Sequence, residues 1–171
     1  MKSCAMVCLV LVCCVNSIFG QDEVSNSWEA QYHAGLEAYR NACLEPANEA
    51  IVLTFDSVAL VLLDKEPTSA VAAGMHATAQ LMLAESMWNP LDKLTQFQSW
   101  KPKLEAAIAA DPNNADLRFF RLSVQFTVPA LLEYRSNMTE DEQLTRTAFA
   151  NGQWSTDIEH QTFISSFLDQ L

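Results

Sequence analysis

The stretch "LEAAIAADPNNADLRFFRLSVQF", residues 104–126, decides the fold. It opens as a helix, with Leu104 and Ile108 one turn apart. Asp111-Pro112 ends that helix, because proline offers no backbone N–H and disfavours helix in the residue before it. Asn113 has the side chain to cap the next helix, which runs from Asn114 to about Thr127. On a wheel of about 100° per residue, Leu117, Phe119, Phe120, Leu122, Val124 and Phe126 cover more than half the circumference. Arg118, Arg121 and Gln125 share the narrow remainder. A helix that is apolar over so wide an arc is packed on several sides, so this one is expected to be central. Its polar stripe is the only part left to meet water, a carboxylate or a partner.

Helical periodicity extends outward from this elbow in both directions. Trp28, Tyr32, Leu36, Tyr39 and Cys43 fall on one face of a first helix. Ile51, Phe55, Val58 and Leu62 lie on a second, apolar almost all round and therefore read as central. Lys65-Glu66-Pro67 stops it. Ser69 to about Trp88 forms a third, rich in alanine, and Asn89-Pro90 reads as the cap and first residue of a fourth. Pro102 is expected to kink or divide that fourth segment. A short helix follows from Pro129 to Tyr134. The capping-box patterns Thr139-Glu142 and Thr156-Glu159 mark the last two starts. The expected fold is all-α: seven or eight helices in antiparallel hairpins, solenoid-like, in one domain spanning 21–171.

The N-terminal "MKSCAMVCLVLVCCVNSIFG" has a lone basic residue, Lys2, then a short apolar run, then small and polar residues. That is the grammar of a secretory signal peptide, with cleavage expected after Gly20. The expected location is therefore secreted or periplasmic, with no stable membrane insertion after cleavage. Four of the five cysteines lie in this segment, so residues 21–171 keep Cys43 alone and cannot close an internal disulfide. The formal charge of −11 becomes one unit more negative when Lys2 is removed. Such a chain repels nucleic acid and suits neutral or cationic partners.

The segment "LEAAIAADPNNADLRFF" resembles the junction between two tetratricopeptide repeats. Pro112 matches that family's terminal proline, Ala107 its small position and Leu104 its bulky one. Trp100 and Arg121 stand where the family has small residues, and no second copy follows at its period of about 34 residues. The resemblance implies helix hairpins and a groove in which Arg118, Arg121 and Gln125 would hold a partner's carboxylates. The longer string from Asn89 to Gln125 also resembles a group of small secreted or periplasmic bacterial proteins, which implies a fold and a compartment.

An EF-hand loop beginning at Asp111 fails at its fifth, sixth and twelfth positions, where Ala115, Asp116 and Leu122 stand. His33, His76 and His160 have no histidine or cysteine one turn away, so no metal pair forms locally; each reads as a partly exposed helix residue. Cys43 reads as a small buried hydrophobe. There is no phosphate-binding glycine loop and no nucleophile elbow. Neither cofactor, metal nor catalytic set is expected. Arg118 and Arg121 point the same way at i and i+3. They serve either as internal ties to Glu85, Asp92 or Glu105, or as partner-binding residues with Gln125. The reading that follows is a non-catalytic binding or scaffold module for a protein or peptide. The alternatives are an enzyme assembled from dispersed residues such as His76, Glu85 and Arg118, and a carrier of an apolar small molecule.

Overall fold

A computed structural model describes residues 27–171; the signal-like segment and its cleavage point lie outside the described residues. The described chain is all-helical. Its elements are α1 (Trp28–Leu44), α2 (Glu49–Lys65), α3 (Ala70–Met82), α4 (Pro90–Ala110), α5 (Ala115–Thr127), α6 (Met138–Ala150) and α7 (Ile158–Leu168), with 3-10 turns at Leu83–Ser86 and Ala130–Leu132. From α1 to α4 each helix packs on the next, and α5 pairs with α6. α3 also touches α1 and α5, and α7 returns to pack on α1. The result is a closed helical bundle. None of the described helices is long and apolar enough to cross a membrane.

The expected interior is found where periodicity put it. Leu36 and Tyr39 on α1, Phe55 and Leu62 on α2, and Leu117, Phe119, Phe120 and Leu122 on α5 are fully or almost fully buried. Tyr39 is the hub of the aromatic cluster, with ring centroids 4.8 Å from Phe120, 5.4 Å from Phe55 and 5.9 Å from Phe163. Such tilted and edge-on pairs add to the free energy of burial alone. Its hydroxyl donates to Ser123 Oγ at 2.7 Å, and Ser123 in turn donates to the Phe120 carbonyl at 2.8 Å. The polar end of the ring is thereby satisfied deep in the core.

α5 is central as its wheel demands: every residue from Ala115 to Gln125 is buried. The polar stripe is buried too, because α6 covers it. α2 departs from expectation. It is an edge helix whose outer face leaves Leu53, Leu60 and Val61 substantially exposed. An all-round apolar pattern marked it as enclosed, yet among the described residues only α1, α3 and the Leu83–Ser86 turn pack on it.

Several boundaries shift for local reasons. Asn114, not Asn113, caps α5; its Oδ1 accepts from the amides of Asp116 and Leu117, while its Nδ2 donates to Asp111 Oδ2. α3 ends at Met82, and Trp88 stands almost wholly in solvent. α4 runs unbroken through Pro102. The carbonyl that would have received a Pro102 N–H belongs to Gln98, and both residues are exposed, so water can take the missing bond. The segment after Pro129 is only a 3-10 turn. α6 starts at Met138 with Asn137 at its cap, not at Thr139. α7 is capped by Asp157, whose Oδ1 accepts from the His160 amide at 2.9 Å, displacing Thr156.

The alanine-rich α3 allows close approach at Gly74, where a Cβ would lie 2.1 Å from Leu117 Cδ2. Leu117 is itself fully buried and has little room to yield. Gly74→Ala should gain about 1 kcal/mol of helix propensity yet lose more to overpacking, for a net destabilisation of about 1–2 kcal/mol. Urea unfolding checks this, and a more stable variant would show that Leu117 repacks freely.

Candidate functional site

Arg118, Arg121 and Gln125 all face inward. The carboxylate that gathers the arginines is Asp141 of α6, fully buried. Arg121 grips it with two bonds, Nε to Oδ2 at 2.6 Å and Nη2 to Oδ1 at 2.7 Å. Arg118 Nη1 donates to Oδ1 at 2.9 Å and lies 3.1 Å from Glu140 Oε1. Two further donors are also used. Arg121 Nη1 reaches Glu105 Oε2 on α4 at 2.8 Å, and Arg118 Nε donates to the Pro112 carbonyl at 2.8 Å. Tyr134 donates to the other oxygen of Glu105. Burial pushes the Tyr134 hydroxyl well above the ordinary tyrosine range, helped by the Glu105 hydrogen bond. The stripe is therefore a tie joining α4, α5, α6 and the elbow turn, with both guanidinium groups committed within the chain.

Of the carboxylates considered, Glu105 takes part, and the central one, Asp141, was missed. A capping box at Thr139 pointed to Glu142 as the residue turned back on the helix start. The cap is instead Asn137, and Asp141 lies in the first turns, near the positive end of the helix dipole and facing α5. Gln125 is fully buried, and its side-chain amide has no hydrogen-bonding partner among the described residues.

A second buried polar centre joins α1, α5 and α7. Asp116 accepts from Tyr32 Oη and from Trp154 Nε1, the latter at 2.8 Å. Burial raises its carboxyl pKa, and the two hydrogen bonds only partly offset this. His160 lies with Nε2 3.9 Å from Asp116, beyond hydrogen-bonding reach. It is completely buried, not partly exposed as its sequence position suggested. Burial, reinforced by the nearby Arg40 charge, pushes its imidazole down to about 4. Arg40 bridges to Asp157 and Glu159 at 3.2 Å each, clamping α1 to the start of α7. Burial works to raise the Asp157 pKa, but the His160 amide and Arg40 outweigh it and hold the carboxyl below its usual range. Asp116, Trp154 and His160 are each sealed from solvent, so this centre organises packing.

A third network spans α2, α3 and α4. Asp56 accepts from His76 Nδ1 at 2.6 Å and from Gln80 Nε2 at 2.9 Å, and Gln96 Nε2 donates to Gln80 Oε1 at 3.0 Å. The His76 ring meets Trp100 edge-on, and Lys103 Nζ sits 3.3 Å above the Trp100 ring. His33 is half-buried, 3.8 Å from Asp157. His76 and Arg118 thus serve different helix crossings. Glu85, the third residue of the dispersed set, accepts Lys93 at its backbone carbonyl. Cys43 is half-buried, and burial pushes its thiol up to about 12, so it stays protonated and unreactive.

What lies open is a groove between α1 and α2, of about 420 Å³. Its α1 wall carries Ala34, Ala38, Asn41 and Leu44, with Glu37 and Glu45 beside them, and its α2 wall carries Ile51, Thr54 and Val58. The small alanines deepen the floor, and Leu44 projects, 73% exposed. Thr54 and Ser57 donate their hydroxyls back to the carbonyls of Ala50 and Leu53, leaving their carbons outward. Leu53, Leu60 and Val61 are exposed elsewhere on the same helix. Sequence periodicity missed the groove, because alanine reads as a helix former and α2 read as enclosed. No family model, curated relative or solved structure matches the chain.

Two outcomes follow from the buried charges. Asp141→Asn leaves two buried guanidinium groups short of their counter-ion and should cost about 3–5 kcal/mol, measured by chemical denaturation. A loss below 1 kcal/mol would mean that Glu105 and Glu140 suffice. The second concerns pH. His160 is neutral when folded and has its ordinary value of 6.5 when unfolded. The unfolded chain therefore binds a proton first, and stability falls as pH drops from 6.5 towards 4, by on the order of 3 kcal/mol. Asp116 acts in the opposite sense, because its raised pKa adds stability at acid pH that is lost as pH rises through it. His160→Phe should flatten the decline between pH 6.5 and 4 in urea titrations. An unchanged slope would assign the decline to other groups.

Proposed function

We propose that this protein is a non-catalytic helical binding or scaffold module that acts outside the cytoplasm, secreted or periplasmic, and holds a segment of a protein or peptide partner. The observation that carries this reading is the α1–α2 groove, where small and apolar side chains lie open on a hairpin whose second helix also exposes Leu53, Leu60 and Val61. Exposed apolar surface of this kind is costly in a monomer and marks sites of association. The arginine pair is employed inside the bundle, so the binding role moves from Arg118, Arg121 and Gln125 to the first hairpin. The resemblance of the elbow to tetratricopeptide hairpins supports a groove-binding mode, and the filled aromatic interior favours this reading over an internal carrier of small molecules.

A photo-crosslinking amino acid at Leu44, compared with one at Gln143 on exposed α6, tests the proposal in the native extracellular fraction. Discrete adducts are expected from position 44 and not from 143. The same adduct pattern from both positions would sink the groove as the binding surface.

A further inference from the structure

We infer that the partner segment taken by the α1–α2 groove is a cationic amphipathic helix. This rests on the groove being the binding surface, as proposed above, and adds the chemistry of its occupant. From Trp28 to Lys65 the hairpin carries six carboxylates and two basic residues, Arg40 and Lys65, the latter at the last position of α2 and outside the groove lining. Arg40 is turned away and spent on Asp157 and Glu159. Asp56 is turned inward to His76. Glu29, Glu37, Glu45, Glu49 and Asp64 are exposed. The hairpin therefore offers an apolar trough between carboxylates, with its own lysine and arginine charge absent from the trough.

An occupant must match both features. Leu44, Ile51 and Val58 require an apolar face, and Glu37 and Glu45 require cations at its edge. The face from Ala34 to Glu45 extends about 17 Å at 1.5 Å per residue, the length of three helical turns. Apolar residues spaced three and four apart, flanked by lysine or arginine, fill such a trough, the helix-in-groove mode. A second copy of this chain fits less well, because both copies carry the same negative charge of −11.

Three synthetic peptides of about 14 residues test this, sharing one leucine face and differing in a polar face of lysine, glutamine or glutamate. Amide shifts of isotopically labelled protein are followed on titration. The lysine peptide is expected to shift groove residues and to bind at least about tenfold tighter than the glutamine peptide, with affinity falling as salt rises. Glu37→Gln with Glu45→Gln should remove most of that advantage. Leu44→Lys should abolish binding by all three peptides, with circular dichroism confirming that the exposed substitutions leave the helices intact. If glutamine and lysine peptides bind the groove equally, the cationic requirement is overturned and the groove reading survives. If no peptide shifts groove residues, both are overturned. If the lysine peptide binds undiminished to Leu44→Lys, its site lies elsewhere and the inference fails.

Discussion

The bundle depends on one carboxylate, Asp141, fully buried and held by two arginines. A lone buried carboxylate costs many kilocalories per mole, and two lone guanidinium groups cost more. Together they leave no charge without a partner, and geometry does the rest. Arg121 meets Asp141 with the two-pronged fit that only guanidinium provides. The same cations reach Glu105 on α4, Glu140 on α6 and the carbonyl of Pro112 in the elbow turn. Helix α5 can therefore be buried from Ala115 to Gln125, all but its last two residues, although it carries two formal positive charges.

Much of the fold was legible because it rests on periodicity and punctuation. The elbow at Asp111-Pro112, the apolar faces of α1 and α5, and the cap at Asn89 all follow from the backbone chemistry of proline and asparagine and from a 3.6-residue repeat. What escaped was partner choice across helices. Asp141 lies 20 residues from Arg121, and the capping-box pattern at Thr139 drew attention to Glu142, whereas the cap is two residues earlier at Asn137 and it is Asp141 that packs against α5. His160 escaped for a similar reason. Nothing in its neighbours announces complete burial, which arises only when α7 folds back beside Trp154 and Phe119. The groove was hidden by a different ambiguity. A helix apolar on every side is equally consistent with enclosure and with an edge whose outer face lies open, and among the described residues α2 is the second kind.

The polar and apolar parts are distributed in an unusual sense. Charged residues that would ordinarily face water form the interior ties, at Asp141, Asp116 and Arg40, while leucines and a valine on α2 and nearly all of Trp88 face out. Specificity of packing is bought inside by directional bonds, which tolerate few alternative registers. The outside keeps a surface whose free energy falls only when something covers it. The buried ionic ties and the exposed apolar residues thus lie in different parts of the bundle, the former on α1, α5 and α6 and the latter chiefly on α2.

The return of α7 to α1 bears on how the chain comes into being. Arg40 finds Asp157 and Glu159 across 117 and 119 residues, and Tyr39 finds Ser123 across 84. Contacts that distant are slow to form, because the loop between them must first surrender its freedom. A ribosome delivers α1 long before α7 exists, so the first hairpin has to wait with its arginine unmatched and its tyrosine hydroxyl unsatisfied. The clamp closes only once Asp157 and Glu159 have emerged. A nascent chain built this way stays pliable until then, and one cut before Asp157 never acquires its clamp.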